Sequence, residues 1–327
     1  MKDTDFLFLT SMLRSRETKM LSDEKIDRML DANAYDDAAK MLVDCGYDDM
    51  SGMDSGQIEN VLQKRRSDIF YELGENKDAK SLADLFRLKY DYHNVKVLVK
   101  SMGANVDAAH MLSDSGRVGT SELNEAFVTG QRSDLPPKVA EAMNVASGVL
   151  SRTGNPQLSD IEVDKIYFSE LLSLAEDAKD SFILGYVRLL IDAANLRIAV
   201  RSARTGRDSD FLLAALIPGG HAGSEEIAAS FNENSLAPFT GETLEGAVRL
   251  GSEVMKDGSQ TMFELACDNA ALKYVTSTSY ISFGPAPVVA YLAKIEWEIT
   301  AVRMILTGIL TGISPDVIRE RLRDCHV

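Results

Sequence analysis

The stretch RLLIDAANLRIAVR, residues 188–201, decides the fold class, because its apolar residues recur at helical steps of three and four and its pattern occurs three times. RLKYDYHNVKVLVK at 87–100 and KIEWEITAVRMILT at 294–307 align with it without a gap. The shared order is a base, three residues, an acid, two residues, Asn or Ala, an aliphatic residue, a base and then aliphatic residues. Each copy is predicted to be one long helix.

The three copies are spaced by 101 and then 106 residues. This spacing is too long for solenoid repeats of roughly 20–50 residues and fits helical bundles of about 100 residues each. The sequence therefore predicts three helical repeats, covering 1–113 with the N-terminal helices, 114–218 and 219–327.

The alignment continues past the end of each copy. A residue that favours the left-handed, helix-ending conformation is followed two positions later by a residue suited to cap the start of a new helix. These residues are Asn105 and Asp107, Gly206 and Asp208, and Gly312 and Ser314. A further helix is predicted after each of them.

In every copy a base stands four residues before an acid, which is the less favourable order on an isolated helix. Even the favourable order contributes only about 0.2–0.5 kcal/mol, so helix stability alone does not explain the repetition. We hypothesise that these side chains reach between helices or between copies; the alternative, solvated pairs within one helix, stays open. The candidate residues are Arg87, Asp91, Asn94, Arg188, Asp192, Asn195, Lys294 and Glu298, with Ala301 in place of Asn in the third copy.

The rest of the chain also indicates helices. Alternating β-branched runs are nearly absent, and the one stretch with β character, residues 275–283, is interpreted as an extended linker. The eight prolines cluster at breaks between apolar, helix-periodic segments. The predicted fold class is all-α.

The net charge of the chain limits the classes of molecule that it is expected to bind. The 327 residues include 35 Lys and Arg against 50 Asp and Glu, a formal net charge of −15 that disfavours nucleic acid and anionic lipid as partners. Three cysteines without metal-binding spacing fit a reducing cytosol. No apolar run approaches the roughly 20 residues of a membrane span, and the N-terminus does not resemble a secretory signal, so we expect a cytoplasmic protein.

No catalytic motif is present in the sequence. Phosphate-binding, dinucleotide-binding, zinc-protease and serine-hydrolase patterns are absent, and the four histidines are widely separated. The glycine-rich stretch at 218–223 is interpreted as a helix-ending loop. Acid pairs at 36–37 and 48–49 lack the second acid at i+4 that would hold magnesium. We therefore predict no catalytic, cofactor-binding or metal-binding residue.

The chain resembles the C subunit family of archaeal and bacterial V-type (A-type) ATPases, the counterpart of the d subunit of the vacuolar enzyme. The stretches that carry the resemblance are 14–17 with Leu21-Ser22, 165–172, 186–197, 287–308 and 312–323, so it spans nearly the whole chain. The chain departs from the family at Ala301, where Asn is frequent, and at its last residues.

The resemblance implies a funnel of three similar helical subdomains with pseudo-threefold symmetry. It also implies a non-catalytic rotor component without cofactors, which receives the D and F subunits of the central stalk and sits on the cytoplasmic face of the membrane rotor ring of c/K subunits. Torque would pass through it between ATP turnover and H⁺ or Na⁺ transport.

Two other classes stay open from the residues alone. One is a helical enzyme with a central cavity, of lyase or prenyl-transfer type, although the sequence lacks its acid motifs. The other is a helical scaffold unrelated to rotary ATPases.

Overall fold

The computed structural model describes residues 6–32, 34–104, 106, 109–239, 241 and 243–323, and every regular element within these ranges is helical. The prediction of an all-α fold is therefore confirmed. The chain forms two compact units, Lys80–Pro238 and the combination of Met1–Ala79 with Phe239–Val327. We call them the middle unit and the terminal unit. The division of the sequence into three repeats stays a prediction.

The described ranges contain fifteen α-helices. They are α1 Leu7–Glu17, α2 Asp23–Leu30, α3 Tyr35–Met41, α4 Ser55–Glu75, α5 Lys80–Ala104, α6 Thr120–Thr129, α7 Pro137–Thr153, α8 Pro156–Ala178, α9 Ser181–Arg204, α10 Ser209–Ala215, α11 Ser224–Phe231, α12 Glu245–Val254, α13 Gln260–Thr276, α14 Pro285–Leu310 and α15 Pro315–Arg319. Short 3₁₀ turns lie at Val43–Cys45, Ala109–Met111, Ala237–Phe239 and Ser277–Tyr280.

The starts of these helices follow from local sequence. Asp54 begins α4 with a capping box, in which its carboxylate accepts the N–H of Gln57 while the Gln57 side chain accepts the Asp54 N–H. The carboxylate of Asp180 begins α9 by accepting two N–H groups. Proline stands in the first turn of α7, α8, α14 and α15, where its missing N–H costs no helical bond.

The predicted helix ends agree with the structure where they are described. Gly206 and Gly312 have φ of 63° and 71°, in the left-handed region that glycine adopts without strain. The Asp208 carboxylate caps α10 by accepting the Phe211 N–H at 2.8 Å, whereas Ser314 stands at the N-cap of α15 without a side-chain capping bond. Asn105 and Asp107 lie outside the described residues.

The extended linker expected at 275–283 is wrong for residues 275–280, and only 281–283 lie outside regular structure. Helix α13 runs on to Thr276, and the 3₁₀ turn Ser277–Tyr280 follows. The hydroxyls of Ser277, Thr278 and Ser279 each donate to the carbonyl oxygen three residues earlier. Such local bonds favour a turn over an extended strand, and they explain why a Ser- and Thr-rich stretch remains helical here.

The helices that carry the repeated segment lie in the cores of their units. In the middle unit, α5 packs against α7 and α8, and α9 packs against α8. In the terminal unit, α14 packs against α1, α4 and α13, and most of its residues are buried. The repeated polar residues therefore sit on long helices whose packed faces exclude water.

None of the helices in the described part of the chain combines the length and the apolarity needed to cross a bilayer.

Candidate functional site

The acid of the first copy binds the connection that follows its own helix. Asp91, fully buried on α5, accepts the backbone N–H groups of Arg117 at 2.8 Å and Val118 at 3.1 Å. The Arg117 Nε also donates to this carboxylate at 2.7 Å. An Arg117 Nη1 bond to Glu170 on α8, at 3.0 Å, extends the cluster. One buried carboxylate thus holds a loop and a second helix against α5.

The acid of the second copy repeats this geometry. The Asp192 carboxylate on α9 accepts the backbone N–H groups of His221 at 3.0 Å and Ala222 at 3.2 Å. The His221 Nδ1 lies 2.8 Å from the same carboxylate, in the place that the Arg117 guanidinium takes in the first copy. The imidazole is more than half exposed, whereas the Arg117 side chain is mostly buried.

Glycine is required directly before each pair of donors. A Cβ on Gly116 would lie 2.4 Å from the Asp91 Oδ1, and one on Gly220 would lie 2.1 Å from the Asp192 Oδ1. Both distances are far shorter than any real carbon–oxygen contact. The glycines let the backbone approach closely enough for two adjacent N–H groups to reach one carboxylate.

The asparagines secure the same connections one step earlier. Asn94 donates to the Ser113 carbonyl and accepts the Ser113 N–H, each at 2.8 Å. Asn195 makes the same two bonds to Ile217, also at 2.8 Å. Both asparagines are fully buried, so each amide satisfies a backbone donor and acceptor that water does not reach.

The basic residues of the three copies differ from one another in their hydrogen-bond partners more than the acidic residues do. Arg87 donates from Nε and Nη2 to the Gly116 carbonyl at 3.2 and 2.7 Å, which supports the loop that Asp91 holds. Lys294 on α14 forms a buried ion pair with Glu17 on α1, with 3.0 Å between Nζ and Oε1. The Arg188 Nε is buried without a hydrogen-bond partner in the described part of the chain.

The acid of the third copy has partners of another kind. Glu298, fully buried on α14, accepts the Leu21 backbone N–H at 2.7 Å and the Tyr47 hydroxyl at 2.8 Å. The Arg65 Nη2 lies 3.7 Å away and stacks its guanidinium on the Tyr47 ring. Base and acid therefore bind different partners on other elements in the first and third copies.

Burial dominates the electrostatics of these carboxylates. Desolvation raises the pKa of Asp91, although Arg117 and the two backbone donors oppose the shift. Desolvation likewise raises the pKa of Glu298 against the pull of the Leu21 N–H, Tyr47 and Arg65. The pKa of the Tyr47 hydroxyl is raised by burial and by the neighbouring Glu298 charge, so it stays a donor.

Sequence reasoning missed the residues that bind the repeated acids and bases. Arg117, His221, Leu21 and Glu17 were not among the candidates, yet they complete the three clusters. A signal was present for two of them: GRVG at 116–119 and GHAG at 220–223 share glycine, a basic or imidazole side chain, a small aliphatic residue and glycine. The glycine-rich stretch at 218–223 follows helix α10, and two of its backbone N–H groups donate hydrogen bonds to the Asp192 carboxylate.

The middle unit also contains a hollow of about 430 Å³ among α5, α8, α9 and α10. Its two aspartates are each paired with a lysine of α5: Asp164 with Lys96, and Asp160 with Lys100 at 3.1 Å. Within the described residues, no three His, Cys, Asp or Glu side chains are placed to hold a metal ion. The carboxylates of Asp91, Asp192 and Glu298 each accept hydrogen bonds from at least two protein groups, so these clusters join one part of the protein to another.

The model of the ATP synthase (C/AC39) subunit family matches residues 9–321. Among curated proteins, the C subunit of the V-type sodium ATPase of Enterococcus hirae is 24% identical over 331 residues, covering 97% of this chain and 98% of that protein. The C subunit of the A-type ATP synthase of Thermococcus kodakarensis is 24% identical and covers 98% and 90%. That of Haloquadratum walsbyi is 25% identical and covers 96% of each.

Proposed function

The chain belongs to the ATP synthase (C/AC39) subunit family, and from this premise we propose that it is the rotor component that joins the central stalk of a V/A-type ATPase to the membrane rotor ring. The observation that carries the proposal is the extent of the match, which covers almost the whole chain and nearly the full length of relatives named as C subunits of V-type or A-type enzymes. In this role the protein is non-catalytic: it would receive the D and F subunits of the stalk and rest on the ring at the cytoplasmic face.

A joint of this kind must pass torque without yielding, and the buried clusters support that task. Asp91, Asp192 and Glu298 each fasten a loop to a long core helix through charge-assisted bonds of 2.7–3.2 Å. A close-packed helical interior has low compressibility and transmits strain. We propose that the three repeats form a funnel with pseudo-threefold symmetry, in which these clusters keep each repeat rigid while the stalk turns.

Charge suggests how the partners dock. The net charge is −15, and residues 23–54 alone carry ten acidic side chains against three basic ones. Complementary charge speeds encounter and sets register between partners. We propose that basic residues of the stalk or ring face this acidic surface, and that the complex couples ATP turnover to H⁺ or Na⁺ movement.

The direct test is reconstitution from purified parts. The full chain is mixed with a purified D–F stalk complex and, separately, with detergent-solubilised rotor ring, and binding is measured by size-exclusion chromatography. We expect stable binding to each, and capture of the stalk by the ring only when this protein is present. A stalk that binds the ring equally well without it would overturn the proposal.

A salt titration of the same complexes tests the electrostatic part separately. Surface charge pairs are screened over about 8 Å at physiological ionic strength. We expect affinity for the stalk or the ring to fall as NaCl rises from about 50 to about 500 mM. The charge-reversed variant Asp44→Lys, at an exposed site, should bind more weakly than Glu125→Lys in the middle unit. Affinities that stay constant across the titration would exclude charge complementarity while leaving the joint itself intact.

A further inference from the structure

The residue that reaches each buried acid occupies the same place relative to the helix that follows it. Val118 and Ala222 stand two residues before the first residues of α6 and α11, and Leu21 stands two residues before the first residue of α2. All three donate their backbone N–H to the acid of a long helix. By this geometry α2 is the counterpart of α6 and α11.

A second, independent feature supports the equivalence. Five residues after Val118, Ala222 and Leu21 stand Leu123, Ile227 and Ile26, and all six side chains are buried. A buried apolar residue before the N-cap, with another in the following turn, is the arrangement of a hydrophobic staple. The same entry into a short helix therefore occurs three times.

The third occurrence differs in connectivity. The donors to Asp91 and Asp192 lie 26–30 residues downstream on the same connection, whereas Leu21 lies 277 residues upstream of Glu298. Other bonds reinforce this join: Lys294 with Glu17, and Arg319 of α15 with Asp27 and Asp31 at 3.2 and 2.8 Å. Two distant parts of the chain meet where the other copies have a continuous loop.

The missing asparagine of the third copy fits this interpretation. Asn94 and Asn195 bind residues that stand five before Val118 and Ala222. Five before Leu21 stands Arg16, which lies inside α1. The Arg16 carbonyl already accepts the Lys19 N–H at 3.0 Å in the turn that follows α1, so no amide is needed there, and Ala301 suffices.

We propose that residues 7–30, the N-terminal segment, are a separable docking segment that completes the third repeat, and that the α14–α15 surface around Glu298, Lys294 and Arg319 is its binding site. The occupant is this chain's own segment. It docks by the Leu21 backbone N–H, by the carboxylates of Glu17 and Asp27, and by the buried apolar side chains of α1 and α2, such as Leu13 and Met29. The proposal does not depend on the rotor function.

The test is cleavage of the folded 327-residue chain. A protease site is placed at 32–34, between α2 and α3, and the purified protein is cleaved under native conditions. We expect the fragment ending at the cut to co-elute with the remainder on size exclusion, with the fluorescence of Trp297, the single tryptophan, unchanged. Release of the fragment from the otherwise unaltered protein would overturn the proposal.

Variants show which groups hold the segment. In the cleaved protein, Glu298→Gln keeps the side-chain shape but replaces one acceptor oxygen with an NH₂ group, so the Leu21 N–H and the Tyr47 hydroxyl no longer both find an acceptor. We expect the fragment to bind about tenfold more weakly. Asp192→Asn, the matched change in the middle unit, is expected to leave fragment affinity unchanged. Equal affinities in all three proteins would overturn the role assigned to Glu298. Neither the stalk nor the ring takes part in this experiment. The docking-segment proposal and the proposed rotor function can therefore be contradicted independently of each other.

Discussion

Asp192 on α9 and Glu298 on α14 occupy the same position of the repeat but hold the chain in different ways. Asp192 accepts two adjacent N–H groups from a glycine-containing loop that follows its own helix. Glu298 accepts one N–H from Leu21, near the other end of the sequence, and a hydroxyl from Tyr47. We call these two contacts the Asp192 junction and the Glu298 junction. A continuous loop connects the two sides of the Asp192 junction, whereas only non-covalent contacts connect the two sides of the Glu298 junction.

The difference shows how side-chain length compensates for connectivity. Aspartate is short, so the loop must come close, and only Gly220 permits the approach. Glutamate reaches one methylene further, and Lys19 stands where the glycine would be, two residues before Leu21. The buried Lys294–Glu17 pair adds an anchor that a continuous loop does not need.

The largest expected effect comes from deleting the carboxylate of the junction closed by contact. Glu298→Ala leaves the buried Leu21 N–H and Tyr47 hydroxyl without their acceptor, and we expect the free energy of unfolding of the terminal unit to fall by about 3–5 kcal/mol. Urea unfolding followed by Trp297 fluorescence measures it, because this tryptophan is buried on α14.

Asp91→Ala is the matched change in the middle unit. It removes the acceptor of Arg117 and Val118, so we expect loss of middle-unit helicity by circular dichroism at lower urea, with the Trp297 transition unmoved. If both variants displaced the Trp297 transition equally, the two junctions would not be energetically separate.

The next largest loss of unfolding free energy is expected from exchanging Asn and Ala at the repeat position occupied by Asn195 and Ala301. Asn195→Ala leaves the buried N–H and carbonyl of Ile217 unsatisfied, and we expect a loss of about 2–3 kcal/mol in the middle unit. Ala301→Asn places an amide at a buried position, and the carbonyl of the corresponding partner residue, Arg16, already accepts the Lys19 N–H, so the change should destabilise the terminal unit as well. A neutral or stabilising Ala301→Asn, measured by thermal unfolding, would show that the third copy retains a partner for the amide.

A glycine pair tests the close approach of the loop. Gly220→Ala forces a Cβ against the Asp192 Oδ1, and we expect about 1–3 kcal/mol of destabilisation as the loop moves away. Gly148→Ala, inside α7 with open space around the new methyl, is the control, and it should stabilise the unit by about 0.5–1 kcal/mol. Thermal unfolding of both variants measures the contrast, and equal effects would remove the steric argument.

The residues of the three clusters could be predicted from the sequence only where they recur in a pattern without insertions. Asp91, Asp192 and Glu298 were found because they repeat within a long helix whose apolar spacing permits a gapless alignment. The loop GRVG repeats as GHAG, but three additional residues separate it from the asparagine in the second copy, and this insertion breaks the alignment.

Other partners left no readable trace. Leu21 contributes a backbone N–H, which any residue but proline supplies, across 277 residues of sequence. The helical fold was predictable from periodicity alone, whereas the contact between the distant segments was not, because no sequence pattern marks it. Ala301 departs from the repeat in the sequence, and Arg16, the residue that corresponds in position to Ser113 and Ile217, lies inside α1.

The smallest expected effect is the pH dependence of the Glu298 junction. Because burial raises the pKa of Glu298 in the folded state, ionisation of this group costs folding free energy. Its contribution to stability is complete below the ordinary carboxyl pKa and is lost as pH rises through the raised folded-state pKa. The loss amounts to about 1.4 kcal/mol for every pH unit that separates these two pKa values. The unfolding free energy of the unaltered protein minus that of Glu298→Gln should therefore decrease from about pH 4 toward pH 7, in urea titrations followed by Trp297 fluorescence.

Glu72→Gln is the opposite control in the same unit. The bond from Arg16 lowers the pKa of Glu72, so the stability that this carboxylate contributes is present above the ordinary carboxyl pKa and is lost as pH falls through the lowered one. The corresponding difference in unfolding free energy should therefore increase over the same pH range. Parallel pH trends for the two variants would contradict the burial argument, whereas opposite trends would tie the pH response of the terminal unit to the carboxylate that receives the Leu21 N–H.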